Sequence, residues 1–240
     1  MSTYVLIHGA WHGGWCWDKI APALRNDGHT VLTPDLPGHG DDTTRPEHIS
    51  LQAYTDRVVE LLDRQKEPVI LVGHSMGGLV ISQAAELRSD KIRTLVYVCA
   101  FLLRNGETLG EVAQRDANAL VMPNLLVSDD GISATLKPEV IRQTFYTNCS
   151  EEDATRAQSK LVPQALAPFA APLHIADHNF GRVPRAYVEC TQDRAISIGI
   201  QREMCARVGC KETFVLETDH SPFLSTPREL SSVLVSLHTV

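Results

Sequence analysis

Lysine and arginine nowhere cluster in this 240-residue chain, and its formal net charge is −7. Nucleic-acid binding rests on a basic surface that neutralises phosphates, so that class of partner is not expected. No apolar stretch approaches the roughly 18 residues that a membrane helix needs, so no membrane partner is expected either. The start, Met1-Ser2-Thr3-Tyr4-Val5-Leu6-Ile7, lacks a basic segment, and its apolar run has strand length only. It does not read as a signal peptide. Cysteine is scattered: Cys16, Cys99, Cys149, Cys190, Cys205 and Cys210 form no CxxC pair, and no histidine cluster has zinc-ligand spacing. An even number of cysteines permits disulfides, but a chain this long buries a full core without staples. GxGxxG and GK[ST] are also missing, which argues against a nucleotide cradle. The expectation is a cytoplasmic, reduced protein with no metal and no cofactor.

What is present is an alternation of short apolar runs and longer amphipathic segments. Tyr4–Ile7, Thr30–Thr33, Pro68–Val72, Thr94–Cys99, Ala186–Thr191 and Thr213–Leu216 read as strands. Asp18–Asp27, Leu51–Lys66, Met76–Leu87, Ser197–Val208 and Pro227–Leu237 read as helices, with Ser50 as an N-cap. Val69-Ile70-Leu71-Val72 and Leu95-Val96-Tyr97-Val98 are apolar on both faces, as parallel strands covered on both sides are. Between residues 103 and 182 the texture changes. Short helical pieces alternate with Pro123, Pro138, Pro163, Pro168 and Pro172, and no clear strand is visible. Ser150-Glu151-Glu152-Asp153 resembles a capping box that starts a helix. The reading is an α/β core, residues 1–102 and 183–240, with about six mostly parallel strands. Residues 103–182 form an inserted, mainly helical cap.

Gly73-His74-Ser75-Met76-Gly77 is a GxSxG motif. The five residues alone recur by chance. Here a buried strand runs directly into them and an amphipathic helix runs directly out, which is the context of a nucleophile elbow. So tight a turn leaves no room for side chains at Gly73 and Gly77. It holds the Ser75 hydroxyl at a helix N-terminus, where backbone N–H groups favour developing negative charge.

A serine needs a base, and the base needs an orienting acid. Chain order in such a fold is Ser, acid, His. Of ten histidines, only His220 has both the right order and a place in the loop directly after the last strand. His29, His48, His174, His178 and His238 read as solvated or structural, while His8, His12, His39 and His74 sit in tight turns that can line or brace a pocket. Asp193 follows the preceding strand and is the candidate acid. Its rivals are Asp219, whose side chain as a direct neighbour rarely faces His220, and Asp35, which suits the turn Asp35-Leu36-Pro37-Gly38. Backbone N–H groups of Met76 and Ala10 are the candidate oxyanion donors. Ala10 lies in the glycine-rich loop His8-Gly9-Ala10-Trp11-His12-Gly13-Gly14-Trp15. Trp11, Phe101 and Phe223 are candidate substrate-binding residues. Leu102, Phe145, Phe169 and Phe180 can add to an apolar wall, though each alone reads as ordinary core. Packing accounts for at least two of Trp11, Trp15 and Trp17.

Together these residues resemble the α/β-hydrolase superfamily, and within it the group of plant methylesterases, plant hydroxynitrile lyases and related bacterial esterases. The likeness spans nearly the whole chain. It rests on the glycine-rich loop, Asp35-Leu36-Pro37-Gly38-His39-Gly40, the elbow, Val96-Tyr97-Val98-Cys99-Ala100-Phe101, Phe145-Tyr146-Thr147-Asn148-Cys149-Ser150-Glu151-Glu152-Asp153 and Cys190-Thr191-Gln192-Asp193. The resemblance implies a helical cap over an apolar pocket, no cofactor, often a homodimer, and hydrolysis of small esters. The lyases of this group carry a threonine in the oxyanion loop and a lysine directly after the catalytic histidine. Ala10 and Ser221 stand there in this chain. Dehalogenase and epoxide-hydrolase relatives use an aspartate nucleophile, against which Ser75 argues. The expectation is a serine carboxylesterase acting on small, largely apolar esters. Its alternatives are lyase-type C–C cleavage or a non-catalytic small-molecule receptor.

Overall fold

The computed structural model describes residues 1–237; His238 lies outside them. The core elements are β1 (Thr3–Ile7), α1 (Ala21–Asn26), β2 (Thr30–Leu32), α2 (Leu51–Asp63), β3 (Val69–His74), α3 (Gly77–Leu87) and β4 (Ile92–Val98). An inserted segment follows with α4 (Leu109–Gln114), β5 (Leu125–Val127), β6 (Ser133–Leu136), α5 (Pro138–Phe145), α6 (Glu151–Gln158), β7 (Gln164–Ala165) and α7 (Ala167–Ala170). The core resumes with β8 (Arg185–Cys190), α8 (Ile198–Val208), β9 (Glu212–Leu216), α9 (Pro222–Ser225) and α10 (Pro227–Ser236).

Six strands form one parallel sheet in the order β2-β1-β3-β4-β8-β9. Every residue of β3 is buried, as its two-faced apolar pattern requires. Each such Val, Leu or Ile side chain contributes about 1.5–3 kcal/mol relative to an exposed one. Ser50 caps α2, its hydroxyl accepting from Ala53 N–H at 3.1 Å. Chain order reverses direction between β1 and β3, which lie side by side. The loops leaving their carboxyl ends therefore diverge and open a crevice, where an α/β sheet binds ligands. That crevice lies between the glycine-rich loop and the elbow.

The inserted segment differs from its sequence reading. β5, β6 and β7 form a small antiparallel sheet where no strand is visible in the sequence. Its strands hold two to four residues, too short for a period-two pattern to stand out. The α6 start agrees with its sequence signature: Ser150 Oγ accepts from Asp153 N–H at 3.1 Å. All six cysteines are free thiols, with Cys205 and Cys210 Sγ atoms 3.6 Å apart. No helix among the described residues is long and apolar enough to cross a membrane.

Candidate active site

Ser75 stands between β3 and α3 with φ of +54°, a left-handed conformation that costs a non-glycine residue energy. The glycines on either side permit it. A Cβ on Gly73 would meet the Gly77 carbonyl oxygen at 2.7 Å, and one on Gly77 would lie 2.9 Å from the carbonyl oxygens of Ile7 and His8. Backbone packing at the elbow therefore excludes any side chain at these two positions.

The Asp193 carboxylate is held on both oxygens. Oδ1 accepts from the N–H groups of Ala195 at 2.7 Å and Ile196 at 2.9 Å. Oδ2 accepts from His220 Nδ1 at 2.7 Å. Gln201 Nε2, on α8, reaches the same Oδ2 at 3.4 Å and also donates to the carbonyls of Cys190 and Ile196. With Nδ1 carrying the proton, the Nε2 of a neutral His220 is left with its lone pair. Behind it, His74 Nε2 donates to the His220 carbonyl at 2.8 Å, and the two rings pack 4.6 Å apart. Burial and the neighbouring His220 and His12 hold His74 well below the usual histidine range. No hydrogen bond joins Ser75 Oγ to His220 among the described residues. Such contacts are often long without a ligand and tighten when substrate binds.

The rival acids are engaged elsewhere. Asp35 accepts from Gly14 N–H at 2.6 Å and Asp41 N–H at 3.0 Å, so it ties two loops together. Asp219 accepts from Asn148 N–H at 2.7 Å, Ser221 N–H at 3.1 Å and the Ser225 hydroxyl at 2.9 Å. Burial raises its pKa against these donors. Asn148 belongs to the inserted segment, so Asp219 anchors that segment to the His220 loop.

Ser75 opens onto a narrow cavity. Ala10, Trp11, Met76, Phe101, Ala195 and Ile196 line it from the core, and Leu109, Ala113, Ala119, Val121, Met122, Phe145 and Phe169 from the inserted segment. Apart from Ser75, no lining side chain is hydroxylated or charged. The space open to the centre of a water molecule is about 30 Å³, so anything beyond a short chain requires lining side chains to move. Among the described residues, the backbone N–H groups of Ala10 and Met76 donate to no other protein group. Trp11 and Phe101 thus lie where the sequence suggests. Phe223 does not: it is fully buried against His74 and Trp17, at ring separations of 4.9 and 5.6 Å. The α9 turn after His220 tucks it beneath the histidine layer and away from the cavity. Leu102 and Phe180 are likewise absent from the lining.

The chain matches the alpha/beta hydrolase family over residues 4–233. It belongs to that family. Methylesterase 18 of Arabidopsis thaliana is 32% identical, over 97% of this chain and 95% of its own length. Salicylic acid-binding protein 2 of Nicotiana tabacum is 31% identical, over 98% of this chain and 96% of its own. The crystal structure of tomato methylketone synthase I complexed with 2-tridecanone superposes with a TM-score of 0.90 at 25% identity, covering 99% of this chain and 98% of that one. This hydrolase chain therefore shares its whole architecture, inserted segment included, with proteins of differing names.

One group of donor atoms invites a metal reading. His74, Cys99 and His220 each place a possible ligand atom within 4.8 Å of the others. Both histidines already commit a nitrogen, His74 Nε2 to the His220 carbonyl and His220 Nδ1 to Asp193. Cys99 Sγ also faces the His220 carbonyl, at 3.5 Å, and burial raises its pKa. A buried neutral thiol and two committed imidazoles suit packing behind His220 better than a cation. Gln201 and the anchoring role of Asp219 have no sequence signature, because each depends on contacts between separate elements.

Proposed function

We propose that this protein is a serine carboxylesterase acting on small, largely apolar esters, with the inserted segment as a cap over the site. The observation that carries the reading is Ser75 on a strained elbow, opening onto an apolar cavity beside the buried His220–Asp193 pair. The names of the methylesterase relatives support the same reaction class.

In this reading Ser75 Oγ attacks the ester carbonyl while His220 Nε2 takes its proton. The Ala10 and Met76 N–H groups hold the resulting oxyanion. The C–O bond breaks, and the alcohol leaves with the proton from His220. Water, deprotonated by the same nitrogen, then attacks the acyl-enzyme and releases the acid. Asp193 keeps the imidazole in the tautomer that accepts from Ser75 and stabilises the imidazolium. The lining offers no partner for a charged acyl group, so carboxylate-bearing substrates are disfavoured. Lyase chemistry has less support. Ala10 brings no hydroxyl and Ser221 no positive charge to stabilise a leaving cyanide.

The test is turnover of a p-nitrophenyl ester series from acetate to decanoate, with Ser75→Ala as control. Short-chain esters should turn over best, and the variant should lose activity by a factor of about 10⁴ or more while remaining folded. Turnover that survives in Ser75→Ala would overturn the reading. A folded parent that hydrolyses no ester, yet melts higher with a ligand it never consumes, would favour a receptor.

A further inference from the structure

We infer that His12 and Tyr146 form a positioning relay through which the cap holds the oxyanion loop in its active shape. The inference rests on the esterase reading above, because it assigns a task to the loop that carries Ala10.

Two successive peptides of that loop are pinned by buried imidazoles. His8 Nδ1 donates to the Gly9 carbonyl at 2.8 Å, and His8 Nε2 accepts from Leu36 N–H at 3.0 Å. In a trans peptide the C=O and N–H groups point in opposite directions. Holding the Gly9 carbonyl therefore also aims the Ala10 N–H. His12 repeats the device one peptide further on, where its Nδ1 donates to the Ala10 carbonyl at 2.8 Å. A carbonyl can only accept, so the proton is on Nδ1. Burial pushes the His12 pKa down to about 3, which keeps the ring neutral. Its Nε2 is then an acceptor, and Tyr146 supplies the O–H at 2.8 Å.

The two anchors differ in origin. His8 is held from the core by Leu36, whereas Tyr146 closes helix α5 of the cap. Two further bonds tie the same stretch to the cap. Val162 N–H donates to the Trp11 carbonyl at 3.0 Å, and Trp11 Nε1 donates to the Ala134 carbonyl at 2.9 Å. Between them Trp11 has φ of +62°, a conformation that a tryptophan keeps only where its surroundings impose it. The Trp11 carbonyl, the Trp11 indole and the His12 imidazole therefore all meet cap groups. His12 itself is buried among Trp15, Phe145 and Phe223, which fix the plane of the ring. Neither His12 nor Tyr146 lines the cavity, so both act on the reaction by fixing the Ala10–Trp11 peptide next to the Ala10 N–H, and not by touching substrate.

Three variants test the relay, with p-nitrophenyl acetate as substrate and phenyl trifluoromethyl ketone as probe. The ketone adds Ser75 Oγ to its carbonyl carbon, and the hemiketal oxygen then occupies the oxyanion hole. His12→Ala should lower kcat about 10- to 100-fold with KM little changed, the size of effect expected from a misplaced donor. Ketone affinity should fall by the same factor. Tyr146→Phe removes only the hydroxyl and should move both quantities in the same direction by a smaller factor. His12→Asn should recover most of the loss, because its carboxamide N–H can still reach the Ala10 carbonyl. Parental kcat and ketone affinity in both His12→Ala and Tyr146→Phe would overturn the relay, as would a kcat loss that leaves ketone affinity untouched. Parental activity that survives Ser75→Ala would instead bring down the esterase reading, and the relay with it.

Discussion

The loops at the strand ends and the cap bring opposite materials to one cavity. Ser75, His220, Asp193 and the Ala10 and Met76 amides all come from the carboxyl ends of the parallel sheet. The cap contributes Leu109, Ala113, Ala119, Val121, Met122, Phe145 and Phe169 to the lining, with no polar side chain among them. Its own polar contacts point away from the cavity: Asn148 to Asp219, Tyr146 to His12 and Leu120 N–H to the Arg194 carbonyl. Each of these reaches a loop that carries a site residue. The core thus holds the proposed reacting groups in place with buried hydrogen bonds, while the inserted segment supplies shape and packs onto those loops. Polar chemistry needs fixed geometry and therefore a rigid sheet behind it. An apolar wall needs only volume, which many sequences can provide.

The sharpest way to break this division is at the acid. Asp193→Asn keeps acceptors for Ala195 and Ile196 N–H but no longer favours the Nδ1–H tautomer of His220. Ester turnover should fall about 10⁴-fold in kcat with the fold retained. A loss of less than about tenfold would mean that another group orients His220. The next effect concerns the wall. Ala113→Phe on α4 fills part of the cavity, so kcat/KM for the longer esters should fall about 10- to 100-fold relative to acetate. An equal loss along the whole series would show the cap acting on chemistry and not on shape.

The smallest effect is a tilt in stability with pH. His8, His12 and His74 have folded-state pKa values depressed by burial, so the unfolded chain binds protons below about pH 6.5 that the fold excludes. Stability is then fully present above that pH and declines as pH falls. For His12 the decline continues to about pH 3. Melting temperatures measured from pH 7.5 downwards should drop across this window. A flat profile would mean that these rings are charged or solvated in the fold.

The core was legible because its signals are local. Val69–Val72 followed by Gly73-His74-Ser75-Met76-Gly77 predicts strand, elbow and helix, and the structure has β3, Ser75 and α3 there. The candidates Asp193 and His220, chosen by chain order, meet at 2.7 Å. Strand and helix ends moved by a few residues, as with α1, which spans Ala21–Asn26 where the pattern suggests Asp18–Asp27. The cap was less legible, since its strands are too short to show a period. Phe223 was misread for a related reason. Its place after His220 says that it is near the site, but not that the α9 turn buries it behind His74.

By itself, then, the amino-acid order determined the parallel α/β core, the elbow and the succession of serine, acid and histidine. Each of these follows from the residues within one strand, turn or helix. Tertiary structure alone decided which apolar residues face the cavity, that Gln201 braces Asp193, and that Tyr146 meets His12 across 134 positions of chain. Those contacts arise from how separate elements pack, and no local pattern encodes a distance between residues so far apart.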